Sequence, residues 1–245
     1  MRRFYCPQIE SGLLDEEESR HAFQVLRLED GSQATVFNGK GKEASVKLAR
    51  RSDQQAAFRV LSMTETPRPA CRLSLGQALP KGKSMDLIIQ KATELGVSEI
   101  WPILSEHSVI RLDDDQREQK QQKWQQAAVE ACKQCGQNWL PVVQPPLKPE
   151  EFLQKVERAS LKLIASLQPG ARTVRAVLDE ARASAQVSSV FFLVGPEGDF
   201  TPAEIGWAIS AGFQPVTLGP NILRSETAAI FLTSVLMYEI TQTSA

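Results

Sequence analysis

The sequence of 245 residues lacks any uninterrupted apolar run close to the ~20 residues that a membrane-spanning helix needs. Its first residues also lack the long apolar segment of a secretory signal. We therefore expect a cytoplasmic protein with no membrane partner. A hydrophobic content of 42% is sufficient for a substantial core, and the length accommodates one large domain or two modest ones.

Metal-binding patterns are equally scarce. The chain has four cysteines and two histidines, and Cys132 and Cys135 form its one C-x-x-C motif. A structural zinc site needs two further ligands, yet His21 and His107 have no neighbouring ligand spacing. Because residues 124–136 are typical of a helix, we interpret the pair as two small side chains one helical turn apart, and we expect no metal.

An overall positive charge is also missing, since the formal net charge is −1. Any binding to nucleic acid must then come from a local basic patch. Between Lys40 and Arg51 five basic residues stand against one acid, Glu43. Such a run is more typical of an ordinary solvated face, with a binding surface as the alternative.

What the sequence does contain is a pair of glycine loops in its last third. Residues 190–194 form a continuous apolar run typical of a buried strand, and Gly195-Pro196-Glu197-Gly198 follows at once. A second short strand at 212–218 runs into Leu218-Gly219-Pro220, and a long apolar helix opens at Ser225. Because ligands bind outside the carboxyl ends of strands in open α/β sheets, we expect a shared crevice here.

The chemistry of these loops does not favour a phosphate. They lack both Gly-x-Gly-x-x-Gly and Gly-x-x-x-x-Gly-Lys-Ser/Thr. Glu197 and Asp199 would also repel a phosphate at close range. An acidic crevice lined by glycine suits hydroxyl groups, the edge of an adenine or a cationic centre.

A domain boundary is predicted at Thr66-Pro67-Arg68-Pro69, a short and stiff connection. Before it, short runs with partial two-residue alternation predict a small antiparallel β domain over residues 1–69. After it, strands and helices alternate. This pattern predicts an α/β domain over residues 70–245, with a mainly parallel sheet covered on both faces.

Two motifs carry a resemblance to a known family. The first is Gly195-Pro196-Glu197-Gly198, and the second joins Leu218-Gly219-Pro220 to Ile222-Leu223-Arg224-Ser225-Glu226-Thr227-Ala228. In order and spacing they resemble the paired signature of the SPOUT methyltransferases, specifically the bacterial family that methylates N3 of a uridine in 16S ribosomal RNA. The resemblance implies S-adenosylmethionine as the cofactor, a carboxyl-terminal trefoil knot, and a homodimer formed through the carboxyl-terminal domain.

The amino-terminal part resembles the small PUA-like β-barrel domain of the same family. The residues that carry this likeness are His21, Val25-Leu26-Arg27-Leu28, Gly31 and Phe37-Asn38-Gly39. The resemblance implies binding to 16S ribosomal RNA or to the small ribosomal subunit, with Arg3 and Arg27 as contacts. It also places Lys81 and Lys83 near the RNA at the mouth of the site, with solvated surface as the alternative for these two.

The resemblance implies roles for the residues of the two loops. Those that would hold the cofactor are Leu167, Val194, Gly195, Pro196, Glu197, Gly198, Leu218, Gly219, Ile222, Leu223, Thr227 and Ala228. Arg224 would stabilise an anionic uracil oxygen as the imino proton leaves, and Glu226 would orient Arg224 or the cofactor. A carboxylate in the first turn of a helix is also favourable without any catalytic role, so that reading of Glu226 stays open.

The sequence departs from the family pattern at four positions. His107, Gln137 and Asn221 stand where an arginine is usual, and Asp199 stands where a second glycine is usual. Each lost cation weakens the salt-dependent part of RNA binding. We expect His107 to be a hydrogen-bonding replacement, with a general base as the alternative.

Two other functions are compatible with the sequence. One is a catalytically inactive RNA-binding dimer that keeps the same fold. The other is a nucleotide-dependent α/β enzyme. Binding of S-adenosylmethionine, or of ATP or NAD in its place, discriminates among the three.

Overall fold

The computed structural model describes four stretches of the chain, residues 2–51, 55–108, 112–156 and 159–242. The chain forms two compact units. The first contains Met1–Arg68 and Val129–Leu140, and the second contains Pro69–Ala128 and Pro141–Ala245. The chain first passes from one unit to the other within the proline-rich connection, at residues 68–69. It returns to the first unit for residues 129–140.

A four-stranded sheet forms the framework of the first unit. Its strands are β1 (Arg3–Tyr5), β2 (Gln33–Phe37), β3 (Lys42–Arg50) and β4 (Ala56–Glu65). The strands β2, β3 and β4 are antiparallel, as the sequence predicts, whereas β1 pairs with β2 in parallel. Asn38 closes the β2–β3 hairpin because its Oδ1 accepts hydrogen bonds from the amides of Lys40 and Lys42.

One face of this sheet is buried because apolar residues alternate along its strands. The alternating residues with the least exposure are Ala34, Val36, Val46 and Leu48. Helix α1 (Glu16–Arg20) begins at Asp15, whose side chain accepts a hydrogen bond from the amide of Glu18. It continues as a π-helical turn, His21–Val25, which adds Phe23 to the same core.

Residues 129–140 belong to the first unit through polar contacts that the sequence does not predict. Lys133 donates to the buried carboxylate of Glu18 at 3.0 Å. Burial raises the pKa of Glu18, and Lys133 opposes that shift. Trp139 Nε1 donates to the carbonyl of Thr66 at 3.1 Å. This segment therefore packs on the end of β4 and on the connection after it.

Seven parallel strands form the sheet of the second unit. They are β5 (Arg72–Ala78), β6 (Glu99–Ile103), β7 (Val142–Val143), β8 (Leu161–Ala165), β9 (Arg172–Thr173), β10 (Ser189–Val194) and β11 (Gln214–Thr217). Their order is β7-β6-β5-β10-β8-β11-β9, and each neighbouring pair is parallel. The predicted parallel sheet is confirmed.

Helices connect these strands. They are α2 (Ser84–Glu94), α3 (Asp114–Cys135), α4 (Pro149–Lys155), α5 (Val174–Ser184), α6 (Pro202–Ser210) and α7 (Ser225–Gln242). The last turns of α3 lie in the first unit. Across the described stretches, no helix has both the length and the apolar character that crossing a membrane requires.

The strand β10 lies at the centre of the second unit, and its residues 190–194 are all buried. The neighbouring strand β5 places Gly76 beside Leu193. A Cβ built on Gly76 would lie 2.4 Å from Cδ2 of Leu193, so the two strands pack closely because this position has no side chain. Phe191 packs against Phe152 of α4, with ring centroids 5.3 Å apart, on one face of the sheet.

The sequence does not predict several of these elements. The strands β1, β7 and β9 have only two or three residues each, which is too short to show an alternating pattern. Helix α5 carries a usable signal, since Val174, Val177 and Leu178 are buried at helical spacing. Helix α4 begins with Pro149, another signal of a helix start.

Candidate active site

A cavity of about 410 Å³ opens at the carboxyl ends of β8, β10 and β11. It is lined by residues of three loops, between 165 and 171, between 194 and 199, and between 217 and 223. Ser225 and Ala228, at the start of α7, complete the lining. The two glycine loops therefore share one hollow at the edge of the sheet where ligands of α/β proteins bind.

Most of the residues predicted to hold a cofactor lie in this lining. They are Leu167, Val194, Gly195, Pro196, Glu197, Leu218, Gly219, Ile222, Leu223 and Ala228. Gly198 and Thr227 lie outside it: Gly198 contacts His107, and Thr227 is exposed on α7. Lining a cavity does not identify a ligand, so the cofactor role of each residue stays a prediction.

Large apolar side chains stand exposed at this cavity. Ile222 is 79% exposed and Leu167 is 60% exposed, although both line the hollow. Exposed apolar side chains that face a concave site are typical of ligand binding, because a flat apolar ligand removes them from water. The lining thus combines apolar surfaces with the carboxylate of Glu197.

The two glycine loops are joined by a buried hydrogen-bond chain. Ser225 Oγ donates to the carbonyl of Gly195 at 2.6 Å and accepts from Gln77 Nε2 at 2.9 Å. Gln77 is fully buried in β5 and also donates to the carbonyl of Ala78 at 2.8 Å. Its Oε1 has no hydrogen-bond partner among the described residues. Sequence reasoning misses this role of Gln77 and Ser225, although a glutamine inside an apolar strand signals a buried partner.

The first glycine loop is held by hydrogen bonds between its own residues and by one hydrogen bond from the segment after β5. The amide of Asp199 donates to the carbonyl of Pro196 at 3.0 Å, which closes a turn. Asp199 has a left-handed backbone, with φ of 59°, and its Oδ1 accepts from the amide of Phe200 at 2.8 Å. Aspartate tolerates this conformation better than most residues, so it serves where the family usually has glycine. Glu197 Oε1 accepts from the amide of Lys81 at 3.0 Å, which ties the loop to the end of β5.

The two predicted catalytic residues, Arg224 and Glu226, are neighbours in sequence of residues that line the cavity, but they do not line it themselves. Arg224 is exposed, and its guanidinium has no ion pair or hydrogen bond with any residue that the structure describes. Glu226 is half-buried in the first turn of α7. An unpaired guanidinium next to the hollow is available to an incoming substrate. Their catalytic roles stay predictions.

The predicted RNA contacts differ in accessibility. Arg27, Lys81 and Lys83 are exposed. The side chain of Arg3 is only 8% exposed and pairs with Glu43 at 2.5 Å. Arg3 also donates to Asn138 and stacks over the ring of Phe37. These contacts hold Arg3 within the first unit, and an RNA phosphate would have to displace them. Its role as an RNA contact stays a prediction.

The C-x-x-C pair lies in the last turn of α3, as the sequence predicts. Cys132 is buried and Cys135 is exposed. Burial raises the pKa of the Cys132 thiol to about 12, which keeps it protonated and unreactive near neutral pH. Among the residues that the structure describes, no group of three or more His, Cys, Asp or Glu side chains is placed to hold a metal ion.

Comparison with protein families defines the class of the protein. A model described as RNA methyltransferase domain matches residues 66–237, and one described as RNA methyltransferase PUA domain matches residues 14–61. The cavity lies within the first match. The fold and the site are therefore those of an RNA methyltransferase with a PUA domain.

Individual relatives identify one family within this class of RNA methyltransferases. Ribosomal RNA small subunit methyltransferase E of Bacillus subtilis is 30% identical over 91% of this chain and 88% of its own length. The Synechocystis protein of the same name is 34% identical over 84% of this chain, which spans 65% of that longer protein. The Neisseria gonorrhoeae protein of that name, solved bound to S-adenosyl methionine, matches with a TM-score of 0.83 and 33% identity over 98% of both chains. The chain belongs to the ribosomal RNA small subunit methyltransferase E family, which confirms the resemblance.

We predict that Ser225→Ala lowers the free energy of unfolding by about 1–3 kcal/mol, because it removes the hydroxyl that the Gly195 carbonyl accepts from and one hydrogen-bond partner of the buried Gln77 amide. The matched control is Ser234→Ala in the same helix. Ser234 Oγ bonds only the carbonyl of Ile230, a contact that adds little to helix stability. Thermal unfolding of both variants is the measurement, and equal shifts in midpoint would contradict a special role for Ser225.

Proposed function

We propose that this protein transfers the methyl group of S-adenosylmethionine to N3 of a uridine in 16S ribosomal RNA. One observation carries the proposal: two glycine loops, joined through Ser225 and Gly195, enclose a single cavity at the carboxyl edge of a parallel sheet. Family membership supplies the class of reaction. The relative from Neisseria gonorrhoeae, which binds S-adenosyl methionine in its structure, supports the choice of cofactor.

The residues of the cavity fit this cofactor. A hollow of about 410 Å³ lies within the roughly 300–1,000 Å³ that small-molecule sites occupy. Ile222, Leu223 and Leu167 offer apolar surfaces to the adenine, and the glycines let backbone groups approach the ligand. Glu197 adds a negative charge that favours a cationic ligand over a phosphate. When bound, the cofactor supplies an electrophilic methyl group on its sulfonium.

The chain's own residues would perform the remaining steps. Methyl transfer to N3 requires loss of the imino proton, and negative charge then develops on the uracil oxygens. Arg224 stabilises that charge, because its exposed guanidinium is not engaged by the described residues. Glu226, one helical turn from the loop, orients Arg224 or the cofactor. The imino proton leaves to solvent, to which the Arg224 side chain is exposed.

The first test measures S-adenosylmethionine binding by calorimetry and methylation of small-subunit ribosomal RNA from a strain that lacks the activity. We expect binding and one methylated uridine located by mass mapping. RNA binding without cofactor binding would favour an inactive RNA-binding dimer, and tight binding of ATP or NAD would favour a nucleotide-dependent enzyme.

In the same assay, Arg224→Ala should lower the methylation rate by about 100-fold while leaving cofactor affinity within a few-fold, because its role is confined to the reacting base. Arg175→Ala is the matched control. Arg175 is another exposed arginine of the second unit, on α5, where it pairs with Asp179 and Glu239. Full methylation by Arg224→Ala would remove the role assigned to Arg224.

RNA binding is assigned to the PUA-like domain, residues 1–69, which contains Arg3 and Arg27, with Lys81 and Lys83 as further contacts in the methyltransferase domain, residues 70–245. Arg27 is the strongest candidate in the first unit, since it is exposed and has a left-handed backbone with φ of 50°. Glycine is the usual residue in that conformation at a helix end. A strained arginine where glycine is favoured points to a use for its side chain.

The variant Arg27→Gly distinguishes the effect of Arg27 on the free energy of unfolding from its effect on RNA binding. We expect it to keep or raise the free energy of unfolding, by up to about 1 kcal/mol, because it relieves the backbone strain. It should also weaken RNA binding and reduce the slope of log K against log salt by about one. Arg27→Lys serves as the control that retains the charge. An unchanged salt slope for Arg27→Gly would exclude Arg27 as a phosphate contact.

A homodimer is proposed through the outer face of α7. Phe231 and Tyr238, seven residues apart on that helix, are 44% and 63% exposed, and Leu87 is exposed on α2, which packs against α7. Exposed apolar residues on one helical face mark an interaction surface. The family resemblance makes a second copy of this chain the partner.

We expect Tyr238→Glu to convert the dimer to a monomer, because it places a charge in an apolar interface. Sedimentation equilibrium measures the mass. Trp207→Glu on α6 is the control, since it adds the same charge at another exposed apolar residue. A wild-type monomer, or a dimer unaffected by Tyr238→Glu, would contradict this surface.

Two further proposals rest on the family resemblance. The last segment of the second unit threads as a trefoil knot, a proposal supported by the contact of Ser225 at the start of α7 with the loop after β10. The protein acts in the cytoplasm, where an enzyme acting on 16S ribosomal RNA meets its substrate. An experimental chain trace decides the first, and cell fractionation decides the second.

A further inference from the structure

The segment after β6, residues 105–108, lies against the first glycine loop. His107 Nδ1 is 3.0 Å from the carbonyl oxygen of Gly198 and 2.9 Å from that of Asp199. A carbonyl oxygen accepts but cannot donate, so Nδ1 carries the hydrogen and shares it between the two. One side chain thus holds two consecutive carbonyls of the loop.

The loop is shaped to receive this ring. A Cβ built on Gly198 would lie 3.3 Å from Cβ of His107 and 3.4 Å from its Cγ and Nδ1. A side chain at Gly198 would therefore crowd the imidazole, which would have to move by a few tenths of an ångström. Asp199, the next residue, has the left-handed backbone that directs its carbonyl to the same nitrogen. Gly198, which does not line the cavity, thus has a packing role.

The same segment also holds the start of α6. The amide of Glu106 donates to Glu204 Oε1 at 2.9 Å, and Glu204 Oε2 accepts from the amide of Thr201 at 2.8 Å. On the other side, Ser108 Oγ donates to the carbonyl of Leu79 at 3.2 Å. Residues 105–108 therefore connect the segment after β5 with the end of the first glycine loop and with the start of α6.

We propose that His107 is a positioning residue of the cofactor site, and that protonation of its ring strengthens its hold on the loop that lines the cavity. The inference rests on the proposed function, because it concerns the affinity for S-adenosylmethionine. His107 itself lies outside the lining and acts through Gly198 and Asp199.

The carbonyl and carboxylate groups around His107 determine the direction in which its pKa shifts. His107 is exposed, and the hydrogen bond to the carbonyl of Asp199 raises its pKa above the ordinary value. The carbonyl of Gly198 and the carboxylates of Glu106 and Glu204 also raise this pKa, while slight desolvation opposes the shift. The carboxylate of Asp199 faces its own chain at Phe200. Because the folded-state pKa is raised, the added stabilisation from the charged ring is fully present below about pH 6.5 and is lost as the pH rises through the raised pKa. The neutral ring keeps one N–H for the two carbonyls.

The test compares three proteins in S-adenosylmethionine titrations between about pH 6 and pH 9. If binding of the cofactor requires the held loop, it raises the pKa of His107 further, and wild type should lose about tenfold in affinity across this range. His107→Asn keeps an N–H donor near the position of Nδ1 but does not titrate in this range, so its affinity should vary much less with pH. His107→Phe keeps a ring without a donor, and it should bind about tenfold more weakly than wild type at low pH.

A second measurement is independent of the ligand. The chain has two histidines, so proton NMR of the untagged protein has few imidazole signals, and His107→Asn identifies those of His107 by removing them. We expect the His107 signal to titrate above about pH 6.5 and to shift when cofactor is added.

The outcomes separate the two proposals. Wild-type affinity and an unchanged pH profile in His107→Phe would overturn the positioning role while leaving the proposed function intact. A pH profile in His107→Asn equal to that of wild type would also overturn it, since the dependence would then belong to another group. Failure of wild type to bind S-adenosylmethionine at every pH would overturn the proposed function, and the NMR titration would still test the contact with the loop.

Discussion

The hydroxyl group of Ser225 is the contact on which the candidate site depends. It donates to the loop after β10 and accepts from Gln77 of β5, while Ser225 itself begins α7. Three segments distant in sequence are thus fixed by one buried group. In a low-dielectric interior such a chain is rigid when satisfied and costly when broken. The first glycine loop starts at this contact and the second one ends there, so the hydroxyl group fixes the two loops relative to each other.

Acidic side chains support the loops in a similar way. Glu197, Asp199 and Glu204 each accept a hydrogen bond from a backbone amide of the second unit. Carboxylates bound to amides stabilise the turns that carry them. Two of these carboxylates, Glu197 and Asp199, also line the cavity, so they disfavour an anionic phosphate there in addition to holding the loop.

The sequence predicts what is local and misses what depends on distant partners. The apolar run at 190–194 predicts a buried strand, and the glycine loop after it predicts where that strand ends. Both predictions succeed because each signal lies within a few consecutive residues. By contrast, the role of Gln77 depends on a serine 148 residues away. The contacts that hold Arg3 within the first unit include Asn138, 135 residues away. No pattern within a short window contains such pairs.

At three positions, 107, 137 and 221, this sequence has another residue where the family resemblance leads us to expect arginine, and the replacements make different contacts. Gln137 stands where the family usually has arginine, yet its backbone carbonyl accepts from Arg3 and its side chain accepts from the amide of Trp139 within the first unit. Asn221, also in place of an arginine, is exposed at the cavity. His107 keeps a donor but makes the charge depend on pH. Loss of a guanidinium therefore removes a permanent cation at all three positions, while at Gln137 and His107 the replacement retains a defined contact with the fold.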